Sequence, residues 1–219
     1  MTEASLQSVP IEIPPFGLQG DLVVPPNATG IVLFAHGSGS SRYSPRNRYV
    51  ASMLHEGGLA TLLMDLLTPI EEEADDVTRE FRFDIGMLAK RLIQAAEWLA
   101  DQPATGQLAI GCFGASTGGG AALVAAAERP DLIRAVVSRG GRPDLAGAAL
   151  PRVEAPTLLM VGERDRAVID MNRQALDQLT CEKRLEIVPR ATHLFEEPGT
   201  LDDVARLARD WFVSHLRSS

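Results

Sequence analysis

Residues 108–127 read LAIGCFGASTGGGAALVAAA, an apolar run, a serine between glycines and an alanine-rich run. This order predicts a strand, a sharp turn and a helix. In such a turn Ser116 adopts a strained backbone conformation that holds its Oγ above the edge of a sheet. Gly114 and Gly118 leave room for the helix and the strand to approach each other. The pentapeptide alone is a weak signal, so the interpretation depends on its context.

A serine hydroxyl needs a general base to act as a nucleophile near neutral pH. His193 is the best candidate among four histidines, because it follows the short apolar run 185–188 and precedes the last predicted helix. That position is the carboxyl edge of a parallel sheet, where Ser116 should also emerge. The others lie in a Gly-rich turn, a predicted helix and the C-terminal helix: His36, His55 and His215.

A catalytic histidine also needs an acid that fixes its tautomer and stabilises its cation. Asp165 is the best candidate, since the apolar run 157–161 leads into Gly-Glu-Arg-Asp at 162–165. Glu163 and Asp170 are rivals, but Glu163 lies nearer the end of the strand and Asp170 is expected to begin a helix. The predicted triad is therefore Ser116, Asp165 and His193, each on a loop after a separate strand.

Four segments together resemble the α/β-hydrolase superfamily, and specifically its small dienelactone-hydrolase-like members. They are HGSGS at 36–40, GASTG at 114–118, VGERD at 161–165 and ATHLF at 191–195. The triad order Ser, Asp, His is also the one that these enzymes use. The resemblance extends from about residue 31 to about residue 212. Dienelactone hydrolase itself uses a cysteine nucleophile with a supporting glutamate, whereas this chain has a serine, so lactone specificity is not expected to carry over.

Acyl transfer places negative charge on the former carbonyl oxygen, which two backbone N–H groups can stabilise. One predicted donor is Thr117, the residue after the nucleophile. The resemblance maps the other donor to Ser38, with Gly39 as the alternative. Ser38 and Gly39 lie in the segment 36–40, the oxyanion loop. His36 is expected to brace this loop through its own hydrogen bonds.

Four residues are candidates for substrate binding, and Arg139 and Tyr43 are the preferred ones. Arg139 is expected near the carboxyl edge of the sheet, as is Arg142, and either guanidinium could pair with a substrate carboxylate. Tyr43 follows the oxyanion loop together with Arg42, and both are candidate pocket walls. The signal is weak because surface arginines are common.

Length predicts one domain over residues 1–219, and alternating strand and helix signals predict a mostly parallel twisted sheet with helices on both faces. The resemblance implies that this single domain has the α/β-hydrolase fold. The segment 138–151, where many such folds carry a cap, is too short for a large cap domain. A net charge of −8 and a pI near 5.0 disfavour nucleic acid as a partner. No apolar run approaches the ~20 residues that a membrane span needs, and no secretory signal is recognisable, so a cytoplasmic protein without a membrane partner is expected.

No cofactor or metal is expected. The histidines are scattered, no zinc-ligand spacing occurs and no phosphate-binding loop is present. The acidic run EEEADD at 71–76 is predicted to be a solvated loop, because consecutive carboxylates diverge. Cys112 and Cys181 are not expected to form a disulfide framework.

The leading hypothesis is a serine hydrolase that cleaves an ester, thioester or related acyl bond of a small substrate through an acyl-enzyme on Ser116. A non-catalytic binding or regulatory protein on the same fold is one alternative, since fold does not determine function. An acyltransferase with the same triad is another. The oligomeric state, including a homodimer, is left open.

Overall fold

The computed structural model describes residues 6–216, and its strands form one eight-stranded sheet. The strands are β1 (Val9–Ile13), β2 (Leu18–Val23), β3 (Gly30–Ala35), β4 (Leu59–Met64), β5 (Ala109–Ala115), β6 (Ile133–Arg139), β7 (Thr157–Gly162) and β8 (Lys183–Val188). The α-helices are α1 (Pro45–Glu56), α2 (Pro69–Thr78), α3 (Ile85–Asp101), α4 (Thr117–Glu128), α5 (Arg166–Gln178) and α6 (Thr200–His215). Short 3-10 segments cover Phe81–Phe83 and Pro143–Arg152.

The strand order is β1-β2-β4-β3-β5-β6-β7-β8. Strands β3 to β8 pair in parallel, and β1 and β2 add an antiparallel edge. The connection from β6 to β7 holds only a 3-10 segment, so no large cap covers the sheet. The predicted α/β-hydrolase fold class is confirmed.

The central strands are buried along their whole length because helices cover both faces of the sheet. All six residues of β3 are buried, as the continuous aliphatic pattern of this strand predicts. One apolar layer packs α3 and α4 against the sheet, and a second packs α1 and α6 on the opposite face. Apolar residues recur at helical spacing along α3, and the face that they form is buried throughout: Leu88, Leu92, Ala95, Ala96 and Leu99.

Helix α1 begins directly after the loop that follows β3. Ser44 is its N-cap, with its Oγ accepting the backbone N–H of Asn47 at 3.3 Å, and Pro45 occupies the first helical position. The cap fixes the start of the helix, and its first turn therefore lies beside the carboxyl edge of the sheet.

The acidic run 71–76 lies in helix α2, so the prediction of a solvated loop is wrong. Thr68 and Glu71 form a capping box in which each side chain accepts the other residue's backbone N–H, at 3.3 and 2.8 Å. The capping box gives these polar residues a helical start that their charge alone does not reveal.

One carboxylate of the run is buried. Asp75 is 2% exposed and accepts the backbone N–H groups of Phe81 and Arg82 at 2.8 and 3.0 Å. The Arg82 side chain adds an ion pair at 2.5 Å. Burial alone would raise the pKa of Asp75, but the hydrogen bonds from Arg82 and Phe81 outweigh it and lower the pKa.

Within residues 6–216, no helix is long and apolar enough to cross a membrane. No cluster of potential metal ligands occurs in this described part of the chain either. Cys112 and Cys181 are both free thiols. Burial raises the pKa of the Cys112 thiol to about 12, so this side chain stays protonated at neutral pH.

Candidate active site

Ser116 lies in the sharp turn between β5 and α4. Its φ of 51° and ψ of −122° lie outside the regions that non-glycine residues usually adopt. The Ser116 N–H donates to the carbonyl oxygen of Arg139 at 3.3 Å, and its own carbonyl accepts the N–H groups of Gly119 and Arg142, both at 3.0 Å. The predicted strand, turn and helix are confirmed, and the loop after β6 holds the strained turn in place.

The glycines beside Ser116 are required by close packing. A Cβ on Gly114 would lie 2.5 Å from the carbonyl oxygen of Gly118, and a Cβ on Gly118 would lie 2.2 Å from that of Ala35. Ala35 is the last residue of β3, so the start of α4 rests against the strand that leads into the oxyanion loop. The packing thereby fixes the serine turn relative to that loop.

His193 and Asp165 come together above the ends of β7 and β8. Asp165 precedes α5, and its Oδ2 lies 2.6 Å from His193 Nδ1. An ionised carboxylate only accepts hydrogen bonds, so Nδ1 carries a proton in this pair, and the neutral ring then has its lone pair on Nε2. That tautomer is the one a general base needs.

The two rival acids are engaged elsewhere. The Glu163 carboxylate accepts the backbone N–H of Arg190 at 2.7 Å. Asp170 lies 3.5 Å from Arg173 on the exposed side of α5. Among these three acids, only Asp165 forms a hydrogen bond with His193 within the described residues.

Ser116 and His193 line one cavity of about 260 Å³, which suits a small substrate. The oxyanion loop, the first turn of α1 and the end of β6 form the rest of its wall. No acidic side chain lines this cavity among the described residues. Asp165 reaches the site only through His193.

The oxyanion loop lies directly against the start of α4. The backbone N–H of Ser38 donates to Thr117 Oγ1 at 3.1 Å, and the two side-chain hydroxyls are also 3.1 Å apart. Thr117 is the first residue of α4, so its N–H has no partner within the helix. The structure therefore juxtaposes the two predicted donors, with the Ser38 N–H engaged by the Thr117 hydroxyl. The alternative donor, the Gly39 N–H, forms no hydrogen bond within residues 6–216.

His36 links the oxyanion loop to the loop after β4. Its Nε2 accepts the N–H of Leu66 at 3.0 Å, so Nδ1 carries the proton and donates to the Gly37 carbonyl at 2.9 Å. Burial lowers the pKa of His36, which keeps the ring neutral. These bonds agree with the predicted bracing role.

The candidate substrate-binding residues separate in space. Arg139 is 8% exposed and lines the cavity with Ser116, while Arg142 pairs with Asp144 at 2.6 Å and does not line it. Burial, together with the charge of Arg46, lowers the pKa of Arg139 to about 10, so the side chain remains a cation at neutral pH. Tyr43 lines a different cavity next to Asp65, so the structure does not bring its ring to Ser116.

Sequence reasoning missed two residues of the cavity wall, Arg46 and Asn47. Both lie in the first turn of α1, immediately after the Ser44 cap. The helix start was readable from Ser-Pro at 44–45. Because this helix follows the loop 36–40 directly in the sequence, its first turn could be expected to lie next to that loop.

The sheet, the strained serine turn and the histidine–aspartate pair define an α/β-hydrolase. The model of the dienelactone hydrolase family matches residues 19–212, and the chain belongs to that family. It is 64% identical to a dienelactone hydrolase from Anabaena variabilis, with a TM-score of 0.94, over 97% of this chain and 99% of that one.

More distant structures share the fold. Est1E from Butyrivibrio proteoclasticus is 16% identical, with a TM-score of 0.76, over 94% of this chain and 98% of that one. Two Mycobacterium tuberculosis proteins, from strains CDC 1551 and H37Rv, carry the name "Putative phosphoribosyl transferase" and are each 57% identical over 210 residues. The match covers 96% of this chain and 46% of each relative, so the chain spans about half the length of these proteins.

Proposed function

We propose that the protein is a serine hydrolase that cleaves an ester, thioester or related acyl bond of a small substrate. The observation that carries this proposal is the 2.6 Å hydrogen bond between Asp165 and His193, beside a serine with φ of 51°. Ser116 and His193 line the same cavity, which gives nucleophile and base access to one substrate.

In the proposed reaction, Ser116 Oγ attacks the carbonyl carbon while His193 Nε2 takes the hydroxyl proton. The resulting oxyanion accepts hydrogen bonds from the backbone N–H groups of Thr117 and Ser38. The Ser38 N–H exchanges its bond to Thr117 Oγ1 for one to the oxyanion, and the Gly39 N–H, which is free of that bond, is the alternative donor. When the tetrahedral intermediate collapses, the bond to the leaving group breaks and His193 returns the proton to it. Asp165 holds the imidazole in the correct tautomer and stabilises its cation.

Water completes the cycle in the second half. It attacks the acyl-enzyme carbonyl carbon and gives one proton to His193. The second tetrahedral intermediate then collapses, and its bond to Ser116 Oγ breaks. His193 returns the proton to Oγ, which restores the Ser116 hydroxyl and releases the carboxylic acid. The His193 side chain is 41% exposed, so water reaches the base directly, and this favours hydrolysis over transfer to another acceptor.

The names of the relatives describe two different activities, and only one of them agrees with this proposal. A lactone is a cyclic ester, so the Anabaena variabilis relative is named for the same reaction type. The name of the mycobacterial relatives describes proteins twice as long, of which this chain matches 46%. We therefore propose acyl-bond hydrolysis, and not phosphoribosyl transfer, for the site built around Ser116.

The test combines turnover with labelling. We expect the wild-type protein to hydrolyse 4-nitrophenyl acetate and butyrate and an organophosphonate to leave a single adduct on Ser116, located by mass spectrometry. Ser116→Ala should lose at least roughly 10³-fold in kcat. Ser52→Ala, at an exposed serine of α1, is the matched control and should retain full activity. Full activity in Ser116→Ala, or no turnover and no adduct in the wild type, would overturn the proposal.

A further inference from the structure

We propose that the substrate carries an anionic group, a carboxylate or a phosphate, which binds between Arg46 and Arg139 in the cavity of Ser116. This inference rests on the proposed hydrolase function and specifies its substrate class. Arg139 would be the main contact and Arg46 the second.

The first observation is the isolation of Arg139. Its side chain forms no hydrogen bond or ion pair within residues 6–216, and its Nη1 is buried without a partner. Buried charges in proteins are normally paired, because a cation without water or a counter-ion is unfavourable. Arg91, the other arginine less than a tenth exposed in this part of the chain, pairs with Glu71 at 2.7 Å.

The second observation is a second cation in the same wall. Arg46 lines the cavity and pairs at 3.2 Å with Glu196, whose side chain is 64% exposed. Arg46 Nε is buried and has no partner. Arg46 and Arg139 repel each other, and no acid lies in the cavity wall to offset them. An anion between the two guanidinium groups would relieve that repulsion.

The third observation is the neutral polar wall beside the arginines. The Asn47 side chain is buried and forms no hydrogen bond within the described residues, and its Oδ1 is without a partner. Ser44 Oγ accepts from the Asn47 backbone, which leaves its O–H free to donate. The Asn47 amide N–H groups and the Ser44 hydroxyl can donate hydrogen bonds to a carboxylate or phosphate, whereas an alkyl chain can use neither.

The geometry limits where the charge sits on the substrate. Ser116, Arg46 and Arg139 share one cavity of about 260 Å³, so the scissile carbonyl and the anionic group lie within a single small molecule. Guanidinium groups bind carboxylates and phosphates by two parallel hydrogen bonds, which would also orient the ester toward Ser116.

The kinetic test compares esters that differ in one charge. The carboxylate arm uses mono(4-nitrophenyl) adipate against its neutral methyl ester, and the phosphate arm uses 2-acetoxyethyl phosphate against 2-acetoxyethanol. In the arm that matches the natural chemistry, the wild type should prefer the anionic member. Arg139→Gln and Arg46→Gln should each lower the ratio of anionic to neutral kcat/KM roughly tenfold or more.

Matched variants separate charge from packing. Arg139→Lys keeps the cation and should retain part of the preference. Arg142→Gln, three residues after the end of β6 and outside the cavity, keeps its backbone N–H and should leave the ratio unchanged. Arg46→Gln keeps the inference testable if the buried Arg139 variants do not fold, because Arg46 is a third exposed and lies at the start of α1. An unchanged ratio in Arg46→Gln and Arg139→Gln would overturn the inference.

A binding measurement distinguishes this inference from the proposed function. Calorimetry on Ser116→Ala with monomethyl adipate and with inorganic phosphate should show binding that the added Arg139→Gln substitution abolishes. Binding without turnover of any ester would leave the anion site intact and refute the hydrolase. Turnover of neutral esters without binding and without charge preference would leave the hydrolase intact and refute the anion site.

Discussion

Two cavities flank the oxyanion loop and share Gly37, Ser38 and Ser40, yet they contain opposite charges. The first is lined by four acids, Asp65, Glu72, Asp75 and Asp76, and by Arg82. The second is the proposed catalytic cavity, which is lined by Ser116 and His193, contains Arg46 and Arg139 and has no acid among the described residues. Each cavity includes one deeply buried charge, Asp75 in the first and Arg139 in the second.

The buried charges differ in their partners. Asp75 accepts two backbone N–H groups and forms an ion pair with Arg82, so the chain itself satisfies it. Arg139 has no such partner within residues 6–216. A satisfied buried charge holds structure together, whereas an unsatisfied one in a cavity identifies a place for a group from outside the chain.

The largest expected effect concerns the acid behind His193. Asp165→Asn should lower kcat on 4-nitrophenyl acetate by about 10³- to 10⁴-fold, because an amide can stabilise the wrong tautomer of His193. Asp170→Asn, an exposed position on α5, is the matched control and should retain wild-type kcat. Comparable losses in both variants would mean that Asp165 has no special place in the site.

The next effect concerns stability in the acidic cavity. Asp75→Asn should lower the free energy of unfolding by about 2 kcal/mol, since charged hydrogen bonds to Phe81 and Arg82 are weakened. The melting temperature should fall by roughly 4–8 °C, measured by calorimetry. Asp76→Asn, at a side chain that is 75% exposed, should melt close to the wild type. Equal melting temperatures of Asp75→Asn and the wild type would mean that the Asp75 charge does not stabilise the fold.

A smaller effect of opposite sign is expected in the catalytic cavity. Arg139→Gln should leave the free energy of unfolding of the ligand-free protein unchanged or raise it by about 1 kcal/mol, because it removes a buried cation that has no partner. Arg91→Gln is the matched control, and it should be destabilising because it leaves Glu71 without its ion pair. Urea denaturation of both variants measures the difference. Destabilisation of both by the same amount would indicate that Arg139 is satisfied within the fold.

The last expected effect is a dependence of stability on pH that comes from Asp75. The pKa of Asp75 is lower in the folded protein than its ordinary value of 3.8, so its contribution to stability is present above that value and is lost as the pH falls through the folded pKa. Wild type and Asp75→Asn should therefore differ in urea midpoint at neutral pH and converge in acid. A constant gap across the titration would contradict this assignment.

Local patterns predicted much of the fold because the strongest signals are short. Residues 108–127 encode strand, turn and helix in one run, and the aliphatic stretch of β3 could only be a strand buried on both faces. The prediction for residues 71–76 is wrong because a run of charges is typical of a solvated loop, whereas the capping box at Thr68 and Glu71 begins a helix. That signal was present in the sequence as Thr-x-x-Glu.

The site required tertiary contacts that no local pattern contains. Glu163 and Asp165 are two residues apart, and their roles separate only because the Arg190 N–H binds one carboxylate and His193 the other. The sequence indicated Arg139 as a candidate but could not reveal that it lacks an acid. Whether Arg139 has an acidic partner depends on the tertiary structure, in which Glu196 pairs with Arg46 instead.

The contact between Gly118 and Ala35 also limits how this site can diverge. A side chain at residue 118 would collide with the backbone of β3, so the nucleophile turn and the start of the oxyanion loop tolerate little change. The side chains of Arg46 and Arg139 face the cavity instead, and a change in either leaves the backbone contacts of the serine turn in place. In proteins with the proposed anion site, substrate preference would therefore change at those two side chains while the serine turn is retained.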